Sequence, residues 1–181
     1  MAAIVNAVRK LVALATVVAG AYAFYAFCLL PYRCNRLKNA LIRPSERAFQ
    51  RAGTPEGSIA ARQNLAALQE CMRASCRDVS LDMIAAANYR VISRNQEAIA
   101  LYRDALRLDR RPEIYLNLAA TEIAAGDRSG ARVEMVRAAM FNPWMIGAID
   151  DGLLRREVVN EVIARRPENA DFIRYVDALP P

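Results

Sequence analysis

The first pattern along the chain is a block. Leu11–Leu30 is an unbroken apolar run of 20 residues, the length a helix needs to cross about 30 Å of hydrocarbon. Arg9 and Lys10 precede it, and Arg33, Arg36 and Lys38 follow. Ala21-Tyr22-Ala23 has the small-residue form of a leader cleavage site, but the run continues through Phe24, Tyr25, Phe27 and Leu29, longer than a cleaved apolar core. A retained single span is therefore expected over residues 1–32. Phe27, before Cys28, is too bulky for lipoprotein-type processing. Residues 33–53, basic and interrupted by Pro44, read as a linker. Thr54-Pro55-Glu56 then starts a helix by capping, by proline in the first turn and by acid at the dipole's positive end. It runs to about Met72 within residues 54–78, with Leu65, Leu68 and Met72 on one face.

Beyond Asp78 the apolar positions become periodic. Ala98, Tyr102 and Ala105 are matched by Ala131, Met135 and Ala138, each pair 33 residues apart in the same small-large-small order. A fixed offset of that size predicts two tandem helix–turn–helix units, 79–111 and 112–143. After Pro143, Leu153, Leu154, Val158, Val159, Val162 and Ile163 form an apolar helical stripe, with Arg155, Arg156 and Glu157 toward water. A short helix carrying Phe172 and Tyr175 follows, so 144–181 reads as a cap with Trp144 as a plug beneath it.

The two units resemble tetratricopeptide repeats. The second unit fits through Tyr115, Leu118, Ala119, Gly126-Asp127, Ala131, Met135 and Pro143, and the first through Ala85, Ala86, Tyr89, Ala98, Tyr102 and Ala105. Asp82, Glu122 and Arg110 depart from the pattern. The physical content is close helix crossing at alanines beside a groove filled by a large side chain. The resemblance implies an all-α fold, a short α-solenoid behind a membrane helix, with the helix of 54–78 as a preceding half-repeat. It also implies a concave groove for a protein partner. By alignment the groove positions are Met83, Ala87, Arg90, Leu116, Ala120 and Ile123, largely apolar and suited to an apolar or helical segment rather than an acidic tail. The groove is either open or filled by the C-terminal helix.

Composition supports an all-helical chain, with seven Gly and eight Pro in 181 residues that are 55% apolar. The net charge of +6 is uneven. Residues 1–53 hold eight Lys/Arg and one acid, so the folded part is near neutral and lacks the basic face of a nucleic-acid binder. Arg33, Arg36 and Lys38 suit anionic lipid headgroups. Ala15, Ala19 and Ala23 line one face of the span and allow close packing with another membrane helix.

The sequence contains no histidine, which removes the His-dependent triads and His-ligated metals. No catalytic, cofactor or metal residues are assigned, and no small-molecule substrate is evident. Cys71 and Cys76 can form a disulfide only if the helix ends between them; otherwise Cys71 is a buried thiol beside an exposed Cys76. Flanking charge gives a near tie in orientation, leaning to a cytoplasmic domain. Four cysteines lean the other way, and the periplasmic side of a bacterial inner membrane is the reading taken. The resulting expectation is a non-enzymatic, membrane-anchored adaptor, and the resemblance implies service in an envelope assembly for polysaccharide export, secretion or pili. An accessory subunit docked through its span is the alternative.

Overall fold

The apolar run does not end in a linker. In the computed structural model, which describes residues 2–73 and 78–179, α1 (Ala2–Phe24) passes through a π-helical turn (Tyr25–Leu29) into α2 (Leu30–Gln50). Val8–Gln50 is one helix of 43 residues, long and apolar enough near its start to cross a membrane, with its apolar window unburied within the chain. The expected linker 33–53 is thus corrected to helix for most of its length. Leu30, Cys34, Leu41, Ser45 and Ala48 form a buried stripe on α2 at helical spacing, and that packing holds the segment. Pro44 lies inside the helix, at an intrinsic cost of about 3 kcal/mol that the buried stripe must offset.

Local turn and capping chemistry explains why α2 is followed by further hairpins rather than by a free chain. α3 (Pro55–Arg73) is capped by Thr54, whose Oγ1 accepts from the Gly57 N–H at 3.1 Å. A Cβ on Gly57 would stand 2.2 Å from the Arg51 carbonyl oxygen, so only glycine lets the α2–α3 turn close this tightly. Then come α4 (Val79–Val91), α5 (Asn95–Leu108), α6 (Pro112–Ala124), α7 (Arg128–Phe141), α8 (Gly152–Arg165) and α9 (Ala170–Ala178). Asp78, Asp127 and Asp151 each cap a helix through a side-chain oxygen.

The two units repeat in their backbone as well as their side chains. The α4–α5 turn has Ser93 at φ 59 and the α6–α7 turn has Gly126 at φ 86. The Arg94 N–H donates to the Tyr89 carbonyl at 2.9 Å, and the Asp127 N–H donates to the Glu122 carbonyl at 2.8 Å. Both are the helix-ending motif with one left-handed residue. The small-large-small positions are all buried. Asn64, Leu68 and Cys71 of α3 are buried at the equivalent points.

α3 is therefore no isolated half-repeat. It pairs with α2, and the hairpins α2/α3, α4/α5 and α6/α7 stack in chain order, with α8 packed on α7. α9 packs on α8 and on the 3-10 turn Pro143–Ala148, away from the first helices of the units. Leu154, Val158, Val159 and Val162 join the C-terminal core, whereas Leu153 faces outward and Arg155 pairs with Asp177 at 2.6 Å. Trp144 is no core plug: it is 53% exposed and meets Phe172 edge-on at 5.8 Å.

Candidate functional site

The first helices of the three hairpins surround an open groove of about 420 Å³. α2 supplies Ile42, Glu46 and Phe49, α4 supplies Met83 and Ala87, α6 supplies Asn117, and Tyr102 of α5 closes the floor. Ile42 and Phe49 are seven residues apart, two turns on one face, and both are exposed. Burial pushes the Tyr102 hydroxyl up to about 12, which keeps it neutral at physiological pH. Arg90 lies with its guanidinium 5.1 Å from the Phe49 ring centroid and borders one end.

Of the six groove positions predicted from sequence, Met83 and Ala87 line this space, and Arg90 reaches it through Phe49. Leu116 instead packs against the C-terminal core. Ala120 is half-buried and Ile123 is exposed, and neither lines the groove. The α2 wall was missed because 33–53 read as linker. Its signal is present: Leu30, Cys34, Leu37, Leu41, Ser45 and Ala48 recur every three or four residues, but Pro44 and the arginines interrupt the eye's run of polarity.

Three devices fix that wall. Cys34 of α2 is disulfide-bonded to Cys71 of α3, with Cα atoms 5.6 Å apart. This corrects the Cys71–Cys76 pairing: α3 continues past Cys71 to Arg73, so the thiol faces α2 across the hairpin. Cys76 lies outside the described residues. Next to the disulfide, Arg33 donates to both oxygens of Glu70 at 3.1 Å, and the Tyr25 hydroxyl donates to the same carboxylate at 3.2 Å. Further out, buried Ser45, Asn64 and Asn88 join three helices: Asn88 Nδ2 donates to Ser45 Oγ at 2.8 Å, and Asn64 Nδ2 donates to Asn88 Oδ1 at 3.0 Å. A satisfied buried network of this kind fixes the register between helices.

The basic residues expected at headgroups are partly engaged within the chain. Arg33 binds Glu70, Lys38 binds Asp78 at 2.8 Å, and Arg36 lies over the Tyr32 ring. For Asp78, burial alone would raise the carboxyl pKa, but Lys38 and the Ser80 N–H together hold it below the ordinary value. Ala15 and Ala19 are exposed along α1 and Ala23 is half-buried; among the described residues α1 contacts mainly the π-helical turn that continues it.

A second buried charge lies in the second unit. Glu122 is 2% exposed; one oxygen accepts from Arg103 at 2.9 Å and the other has no hydrogen-bond partner among the described residues. Burial raises its pKa, with Glu134 adding to the effect and Arg103 opposing it. Among the described residues no group of three or more Cys, Asp or Glu is placed to hold a metal ion. Comparison with protein-family models, curated proteins and solved structures finds no match.

Proposed function

We propose that the chain is a membrane-anchored scaffold of the tetratricopeptide type, which holds an apolar helical segment of a partner protein in the groove between α2, α4 and α6. The observation that carries this reading is the continuity of α2. The helix that forms one groove wall is the same helix that is apolar enough to cross the membrane. Ile42 stands 12 residues beyond Leu30, about 18 Å along the axis at 1.5 Å per residue. A partner seated there is held at a fixed height above the bilayer, and tethering makes a modest affinity sufficient. The apolar lining and the two-turn spacing of Ile42 and Phe49 suit a short amphipathic helix.

The Cys34–Cys71 disulfide supports placing the folded part in an oxidising compartment, which in a bacterium is the periplasm. Arg9 and Lys10 then remain on the cytoplasmic side. Envelope assemblies that export polysaccharide, secrete proteins or build pili are the setting such a scaffold serves.

The test is co-purification of the partner from membranes with the Ile42→Glu and Phe49→Glu variants. Both side chains are exposed, so folding should be kept while a partner is lost. Undiminished recovery with both variants would reject the groove.

A further inference from the structure

We propose that the cleft between α3 and α4 is a second docking site, for an acidic protein segment that also carries apolar side chains. The cleft, about 460 Å³, shares no residue with the groove. Arg62 and Arg73 of α3 and Arg94 of the α4–α5 turn stand around Leu65, Met72 and Tyr89, and among the described residues no acid lines it.

Arginines on later helices are mostly matched: Arg103, Arg107, Arg132 and Arg155 each pair with a carboxylate. Among the described residues, Arg62 and Arg73 pair with none. Arg94 is held in place, its Nε donating to Glu97 at 2.6 Å and its guanidinium 5.0 Å from the Tyr89 ring centroid. Little freedom remains for it to lose on binding, while planar guanidinium groups match carboxylates two bonds at a time.

Geometry and lining together select the occupant. Arg62 and Arg73 are 11 residues apart on one helix face, about 16 Å, the reach of roughly three helical turns of a partner. A phosphate-rich or sugar polyanion would leave Leu65 and Met72 uncovered. A lipid headgroup layer would reach only the Arg73 end, which lies beside the Cys71–Cys34 bond near the start of α2. An acidic segment with interspersed leucines satisfies both the rim and the floor.

The test uses the full chain in zwitterionic nanodiscs and a labelled 12-residue peptide of three Glu-Glu-Leu-Leu repeats, read by fluorescence anisotropy. Its comparators are oligoglutamate and the Lys-Lys-Leu-Leu analogue of the same length, and anionic vesicles as competitor. The expected result is tightest binding of the Glu-Leu peptide, weakened by salt. Arg62→Glu with Arg73→Glu should lower the affinity about tenfold or more. Arg156→Glu with Arg166→Glu, an equal change of net charge elsewhere, should leave it intact, as should Ile42→Glu and Phe49→Glu. Circular dichroism and a retained disulfide confirm folding of each variant. Absence of binding, equal loss with the control pair, preference for oligoglutamate or anionic vesicles, or loss with the groove variants would each overturn the proposal.

Discussion

Cys34 and Cys71 join the N-terminal part of α2 to the C-terminal part of α3, 37 residues apart in sequence, with Cα atoms 5.6 Å apart. The bond makes the apolar helix and the folded hairpins one mechanical body. A cross-link closing a loop of that length contributes about 3 to 4 kcal/mol through the unfolded chain.

Cys34→Ser with Cys71→Ser should therefore lower the unfolding midpoint by roughly 10 °C, at about 2 to 4 °C per kcal/mol, measured by thermal melting in detergent. In intact cells carrying Cys28→Ser and Cys76→Ser, a membrane-impermeant maleimide should label Cys34 and Cys71 only after reduction. Labelling without reductant would argue against the disulfide, and no labelling until the membrane is opened would argue against the periplasmic placement.

Ser93 and Gly126 occupy the same left-handed turn position 33 residues apart, yet only Gly126 is free of the Cβ penalty of about 1 to 2 kcal/mol. Ser93→Gly should stabilise the chain by up to about 1 kcal/mol, since glycine's added freedom in the unfolded state takes back part of the gain. Gly126→Ala should destabilise it by about 1 kcal/mol. Paired denaturant curves check the signs; the same sign for both would mean that the two turns are not equivalent.

Glu122 gives the clearest pH dependence. Its folded pKa lies above the ordinary 4.5, so its contribution to stability is complete below that value and is lost as pH rises through the folded value. The groups that act on it are Arg103, Glu134 and Asp127. Glu122→Gln keeps an acceptor for Arg103 and removes the buried charge. It should match wild type near pH 4.5 and exceed it by about 1 kcal/mol at pH 7 to 8, read from melting curves across that range. A constant difference would assign the effect to packing.

The sequence displayed what depends on local period. Ala98 to Ala105 and Ala131 to Ala138 marked the two units because small residues at helix crossings must recur wherever backbones meet. Thr54 marked a start through capping chemistry, which is local as well. What stayed hidden depends on contacts between distant segments. The buried stripe of α2 includes Cys34 and Ser45, whose partners Cys71, Asn64 and Asn88 come from α3 and α4. Leu116 lies on the expected face of α6, but the packing of α7 and α8 draws it into their core. The α3–α4 cleft was illegible for the same reason, since Arg62 and Arg94 line one cleft only where two successive hairpins pack together.

The most direct measurement is photo-cross-linking in intact cells from a benzophenone amino acid at Ala87, inside the groove, with Ser58 on α3 as the outside control. Mass spectrometry would identify the linked peptide. The scaffold account predicts one dominant adduct from Ala87, on an amphipathic helical segment of another envelope protein, lost with Phe49→Glu and absent from Ser58. Adducts only within the same chain, or the same adducts from both positions, would contradict it.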